Sequence, residues 1–336
     1  MSIDEACLRT AVRGLRITAD QGQVAAGLAD LTVADLSAGN VVVKVAFAGL
    51  NYKDALATTT AGKVIRDFPR VGGIDLAGTV IASDDPAFAP GDRVLAHSRG
   101  IGVDHDGGFA THARLPAASL LPVPAALSLR EAGALGVAGY SAALCVELLE
   151  EQGVHPAGGP VLVNGASGAV AGLAIDMLGA LGYQVVALSS KATAAARLRG
   201  LGAAEVVLVD EIGDEGKPLA RARWQGAIDS VGGRQLDWLI RSAQPRGVIA
   251  CLGNASGNAL STNVLPLILR GVRLVGVNAM VYIDRQAHLW QRMAGDLKPV
   301  RLLSEIRLIG LDDLGAHLQL MLDGKADGRV VLALPG

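Results

Sequence analysis

The chain has 336 residues, 51% of them hydrophobic, 18% charged and only 3% aromatic, with a formal net charge of −2. That length suits two domains, and the apolar fraction supports a large core and excludes a disordered chain. With charge near neutral and no basic stripe interleaved with aromatics, neither nucleic acid nor an anionic membrane is an expected partner.

Along the first ~130 residues, short β-rich runs alternate with turn signals. Val41–Phe47, Gly78–Ile81 and Asp92–Ala96 are examples, and Ala89-Pro90-Gly91-Asp92 is a turn of the Pro-Gly type. This part reads as an irregular β-barrel. The character changes at Ser128-Leu129-Arg130-Glu131, a capping box that opens a helix. Tyr140–Glu151 is a second helix. From Val161, strands and helices alternate. The expected strands are Val161–Asn164, Gln184–Leu188, Glu205–Val209, Ala227–Asp229, Gly247–Leu252 and Arg273–Val277. The expected helices are Val170–Leu181, Ala192–Leu201 and Gln235–Ala243. Such alternation implies a parallel sheet covered on both faces. A last strand is expected at Arg329–Leu334.

Three cysteines, Cys7, Cys145 and Cys251, are too few and too scattered for a disulfide framework. Asp4 and Glu5 interrupt the amino terminus, so no secretory leader is expected and the expected location is cytoplasmic. The uncharged stretch Pro156–Ile175 reaches membrane-span length but carries Pro160, Asn164 and several glycines. It reads as a buried strand, turn and helix.

That stretch contains the most informative motif, Val161-Leu162-Val163-Asn164-Gly165-Ala166-Ser167-Gly168-Ala169-Val170-Ala171-Gly172. A strand feeding a helix through a glycine-rich turn surrounds an anion with backbone N–H groups and the positive helix end. The anion expected here is a dinucleotide pyrophosphate, held at Ser167, Gly168, Ala169 and Val170. NAD binding uses an acidic residue at the end of the second strand, and none occurs between Asp176 and Glu205. That strand ends in Ser189-Ser190-Lys191, where two hydroxyls and an ammonium suit a 2′-phosphate, so NADPH is the expected cofactor. Arg197 and Arg199 follow; their spacing of two points them apart, so at least one is expected on a solvated face. The six histidines show no His-x-x-x-His spacing and the cysteines no Cys-x-x-Cys, so no metal is expected.

Several stretches carry a family resemblance: Leu50-Asn51-Tyr52-Lys53-Asp54-Ala55-Leu56-Ala57, Gly62–Pro69, Gly73–Val80, Gly182–Ala187, Gly226–Gly232 and Leu267–Leu274. Together they resemble the zinc-free quinone-oxidoreductase branch of the medium-chain dehydrogenase/reductase superfamily, and within it the acryloyl-CoA reductase subfamily. Zinc-dependent relatives have a ligand Cys where this chain has Asn51, and Gly-His-Glu near Gly73-Ile74-Asp75. The resemblance implies an α/β protein with a GroES-like β-barrel catalytic domain (1–132), a doubly wound Rossmann domain binding NADPH (133–277) and a return to the first domain (278–336).

The resemblance also implies an activity: NADPH-dependent reduction of the activated C=C bond of a small α,β-unsaturated thioester, with hydride reaching the β-carbon and no metal. Reduction of a quinone or small enone is the alternative. A non-enzymatic nucleotide sensor is disfavoured by the retained Asn51-Tyr52-Lys53-Asp54. Tyr52 is the first candidate beside the nicotinamide, as cofactor orienter or proton donor. Asn51 is a candidate to hold the substrate carbonyl or the cofactor amide, and Asp54 to orient its neighbours. Leu252, Asn278 and Arg329 are further expected cofactor contacts, and Lys63, Arg66 and Arg99 expected substrate contacts. Lys53 is expected to face solvent. The chain departs from the family at Ala169 and Ala171 in the phosphate turn and at Lys191, where relatives carry Arg. It also departs at Arg99 and Asp106, where relatives place tryptophans. An apolar edge strand, Val272–Val277, points to a homodimer.

Overall fold

In the computed structural model, residues 2–213 and 217–335 are described. The chain divides into two units, one of Met1–Ala138 with Ile306–Gly336 and one of Gly139–Glu305.

The first unit is built on a seven-stranded sheet whose centre is the strand Val41–Gly49, paired antiparallel with Asp75–Ser83, His112–Leu115 and the carboxyl-terminal strand Val330–Ala333. A three-stranded sheet carries the long hairpin Ala11–Asp20 and Gln23–Thr32. Alternation along these strands turns Val41, Val43 and Val45 into one core with Leu76, Val80 and Phe109. The returning segment completes that core with Ile309, Leu314, Leu318 and Leu332.

The second unit is a six-stranded, wholly parallel sheet. Its strands are Val161–Asn164, Val185–Ser189, Glu205–Leu208, Trp224–Asp229, Ala243–Cys251 and Arg273–Gly276. Numbered in chain order they lie 3-2-1-4-5-6, the Rossmann order, and the direction of winding reverses between the first and fourth. In such sheets ligands bind at the carboxyl ends of the strands at that switch point. Pro156–Ile175 is indeed a 3₁₀ turn, strand and helix, Ala169–Ala180 being the helix.

The structure differs from expectation at two places. The helix opened by Ser128 and the one expected at Tyr140 are both present, but they meet at a kink at Gly136 (φ 48°, ψ −148°) within Leu129–Glu151, so the second begins ahead of Tyr140. The capping box is present: Ser128 N–H donates to Glu131 Oε2 at 2.7 Å and Glu131 N–H to Ser128 Oγ at 3.2 Å. This run is long and apolar enough to cross a membrane by length and composition, yet 89% of its apolar window is buried in protein. Second, the chain rejoins the first unit at Ile306, whereas the sequence placed the return at 278. The intervening helices stay with the second unit because buried Asp176 accepts from Leu302 N–H at 2.8 Å, and Arg292 reaches Glu150 at 2.8 Å.

Candidate active site

The glycine-rich turn sits at the switch point of the parallel sheet. Gly165 adopts φ 58°, and a Cβ there would lie 2.4 Å from Ser230 Oγ, so only glycine fits. Ser230 in turn holds the strand end, its N–H donating to Asn164 Oδ1 at 2.7 Å and its hydroxyl to the Asn164 carbonyl at 3.1 Å. Asp229, fully buried, accepts from the Asn164 amide and from Gly232 N–H. The helix Ala169–Ala180 starts at Gly168 with no side-chain cap, which leaves its first N–H groups to an outside acceptor. Ser167, Ala169 and Val170 are half-buried and Gly168 is exposed. As the first helical residue Ala169 has negative φ, so its methyl group is accommodated without strain. These features fit the pyrophosphate of a dinucleotide.

At the end of the second strand the three expected residues separate. Ser189 is buried, and its Oγ accepts from Lys191 N–H at 3.0 Å. Its hydroxyl therefore caps the local turn, a correction to its expected role at a 2′-phosphate. Ser190 is exposed and Lys191 half-buried. Arg199 is exposed, whereas Arg197 turns inward to the Ser167 carbonyl at 3.3 Å. Leu252 and Asn278 follow the fifth and sixth strands at their carboxyl ends; Leu252 is half-buried and Asn278 exposed, its Oδ1 accepting from Met280 N–H at 2.9 Å.

In the first unit, Tyr52 opens the helix Tyr52–Ala57 and is 46% exposed. Its hydroxyl makes no hydrogen bond among the described residues. Lys53 is exposed, as expected. Beneath them lies a buried polar network. Asp54 accepts from Asn51 N–H at 2.9 Å and from Ile74 N–H at 2.9 Å. Asn51 Nδ2 faces Asp54 at 3.1 Å, Asp75 at 3.0 Å and the Gly49 carbonyl at 3.1 Å. Asp75 accepts from Gly49 N–H at 2.6 Å and from Val137 N–H at 3.0 Å, a donor freed by the kink at Gly136. Arg329, just ahead of the last strand, has a side chain with 0% exposure and lies 3.8 Å from Asp75. It donates to the carbonyls of Leu50 at 2.7 Å and Ala134 at 2.6 Å, and to Asn51 Oδ1 at 3.3 Å.

This network corrects two expectations, at Asn51 and Arg329. The Asn51 amide is spent inward and is not presented to a substrate carbonyl. Asp54, expected to orient its neighbours, is buried at the helix start and accepts from Asn51 and Ile74. Arg329 is not an open cofactor contact; it is the buried cation at the centre of the network. Burial, and then the neighbouring Asp75 charge, push the Asp54 carboxyl up to about 7. Burial also raises Asp75, against the pull of Arg329. Burial thus favours the protonated form of both acids, while the buried Arg329 cation favours the anion of Asp75. Asp75 inside an apolar strand and the paired glycines Gly133 and Gly136 inside a capped helix were the available sequence signals.

Lys63 and Arg66 are exposed and pair with no other described residue. Lys63 is held at φ 50° after the 3₁₀ turn Thr60–Gly62. Arg99 is also exposed, at φ 48° and next to Ser98 at φ 65°, an uncommon left-handed pair. Asp106 is buried, accepting from Ser37 N–H at 2.7 Å and Val71 N–H at 2.6 Å, so it ties the Ser37 loop to the strand Arg70–Val71. His97 is buried, and burial with the nearby Arg99 lowers it to about 3, which keeps the imidazole neutral.

A GroES-like β-unit joined to a Rossmann unit with an uncapped phosphate turn defines the class: a medium-chain dehydrogenase/reductase. Residues 37–125 match the alcohol dehydrogenase GroES-like domain and residues 169–295 the zinc-binding dehydrogenase family. The zinc of that second description finds no donor set here, since no three His, Cys, Asp or Glu groups converge among the described residues. The chain is 41% identical to the putative quinone oxidoreductase YhfP of Bacillus subtilis, covering 97% of this chain and 100% of that one. It is 39% identical to the probable acrylyl-CoA reductase AcuI of Escherichia coli, covering 96% and 99%. The yhdH oxidoreductase of Salmonella enterica, solved with NADP, superposes with a TM-score of 0.92 at 40% identity, over 96% of this chain and 100% of that one. The B. subtilis yhfP structure holds NAD and gives a TM-score of 0.93 at 41% identity, over 97% and 100%. The chain belongs to the quinone-oxidoreductase and acryloyl-CoA reductase branch of the superfamily.

Proposed function

We propose that the protein uses NADPH to reduce the activated C=C bond of a small α,β-unsaturated thioester of the acryloyl-CoA kind. The observation that carries this reading is the exposed phenol of Tyr52, mounted on a helix start that a buried charge network locks in place. NADPH fits the uncapped turn Ser167–Val170, with Ser190 and Lys191 toward its 2′-phosphate and Leu252 and Asn278 at the nicotinamide end. When bound, it supplies the hydride taken up by the β-carbon. The Tyr52 hydroxyl donates to the carbonyl oxygen on which enolate charge gathers, or passes a proton to the α-carbon directly or through water. Asn51, Asp54 and Arg329 hold that hydroxyl's backbone rigid, which spares reorganisation during the reaction. Lys63, Arg66 and Arg99 are exposed cations suited to the phosphates of a CoA carrier.

Reduction of a quinone or small enone is the second reading, supported by the 41% identity to a putative quinone oxidoreductase. NADPH oxidation with acryloyl-CoA, crotonyl-CoA and a quinone separates the two. Rapid turnover of the quinone alone would discard the thioester reading. Replacing Lys63 and Arg66 with Ala should raise KM for a CoA thioester and leave a small free enone unaffected.

For assembly we propose a homodimer formed through the edge strand Arg273–Gly276. Leu274 on that strand is 41% exposed, and Ile268 and Leu269 on the preceding helix are 70% and 64% exposed. An apolar open edge is unusual for a protein that stays single. Sedimentation as a monomer at micromolar concentration would overturn this proposal.

A further inference from the structure

Arg197 lies on the short helix Ala195–Gly200, which follows the second strand of the parallel sheet. Its Nη2 donates to the Ser167 carbonyl at 3.3 Å and its Nη1 to Glu305 Oε1 at 3.0 Å. The Arg197 side chain is 20% exposed and that of Glu305 38%. Glu305 ends the helix Val300–Ser304, which is pinned to the helix behind the phosphate turn by the Leu302 N–H to Asp176 bond at 2.8 Å. One guanidinium therefore ties together the phosphate turn, the helix after the second strand and the end of a third helix.

Two physical consequences follow. Drawing the Ser167 carbonyl toward Arg197 keeps a negative dipole end from facing an incoming phosphate. The ion pair is also only partly shielded, so removing either partner leaves a charge of the opposite sign beside the turn. A 2′-phosphate adds close to two negative charges that NADH lacks, so it feels either change more strongly.

We propose that Arg197 is the positioning residue of the phosphate turn and that Glu305 moderates its charge, the pair together setting the preference for NADPH over NADH. The proposal rests on the reading that NADPH binds at Ser167–Val170 and Ser190–Lys191.

The test is direct binding of NADPH and NADH to the full chain by calorimetry, at about 0.05 and 0.5 M salt. Arg197→Gln should weaken NADPH by ~10-fold and NADH by only ~3-fold, while Glu305→Gln should tighten NADPH by ~3-fold and leave NADH nearly unchanged. Both shifts in the NADPH/NADH ratio should shrink at the higher salt. Equal factors on the two dinucleotides, or an unchanged ratio in Glu305→Gln, would overturn the proposal. Glu305→Gln replaces a partly exposed side chain, so it decides the matter if Arg197→Gln fails to fold. A wild-type chain that binds neither dinucleotide would overturn the underlying cofactor reading instead, and the proposal with it.

Discussion

Replacing Gly136 with Ala isolates what the buried network contributes. A Cβ at Gly136 would lie 2.3 Å from Asp75 Oδ2 and 2.6 Å from its Cγ, at a φ of +48°. Asp75 has nowhere to swing, being held by Gly49 N–H, Val137 N–H, Asn51 and Arg329. The strained backbone costs about 1–3 kcal/mol, and displacing one partner of a fully buried ion pair about 3–5 kcal/mol. The sum is on the order of 4–8 kcal/mol, comparable to the whole stability of a domain. Gly22, in the hairpin of the same unit, is the control: it has φ +80° and nothing within 4 Å of a Cβ. Gly22→Ala should cost only about 1–2 kcal/mol. All three tryptophans, Trp224, Trp238 and Trp290, lie in the second unit, so tryptophan fluorescence does not report on this one. Hydrogen exchange of the strand Asp75–Ser83 does. Gly136→Ala should lower its protection at least ~1000-fold, and Gly22→Ala by ~5–30-fold. Losses equal within tenfold would refute the claim that the kink and Asp75 form one buried unit.

Further outcomes follow from the same chemistry. Asp54 is raised from 3.8 to about 7 in the folded chain, so the folded state holds the extra proton. Its contribution to stability should be full below pH ~4 and be lost as pH rises toward ~7, by at most about 4 kcal/mol, and Asp54→Asn should remove that component of the slope in denaturant titrations. A stability that rises across that window in wild type, with the slope unchanged in the variant, would contradict it. Burial and then Asp229 push the Cys251 thiol up to about 11, so iodoacetamide should label it slowly at pH 7 despite its partial exposure, the rate climbing tenfold per pH unit toward ~10. Rapid labelling of the folded chain at pH 7 would contradict this. Tyr52→Phe should lower kcat by ~10²–10³-fold with an unchanged melting temperature, because the hydroxyl supports no folded contact. A matching loss of stability would assign the tyrosine a structural role.

The Rossmann unit was legible because its signals are local. Val161–Gly172 announces strand, turn and helix through composition alone, and the following strands carry short apolar cores such as Val185–Leu188 and Val248–Ala250. Helix starts were equally legible where a side chain closes on its own backbone, as at Ser128 and Glu131. Long-range pairing was not. Arg329 meets Asn51 and Leu50 across almost the full length of the chain, and nothing near Arg329 marks it as buried. Asn51 read as a group facing substrate or cofactor because its type was visible and its direction was not. The same limit misread Ser189, whose hydroxyl is taken by the backbone two residues on. The helices between 278 and 305 were missed because their anchors, Asp176 and Glu150, lie more than a hundred residues upstream.

Reduction of an activated C=C bond is tested most directly by following the transferred hydrogen. NADPH carrying deuterium on both faces of C4 should be consumed with acryloyl-CoA and yield propionyl-CoA with one deuterium, bound to the β-carbon. Consumption without deuterium at that carbon, or no consumption of any enoyl-CoA while a quinone is reduced, would contradict the account.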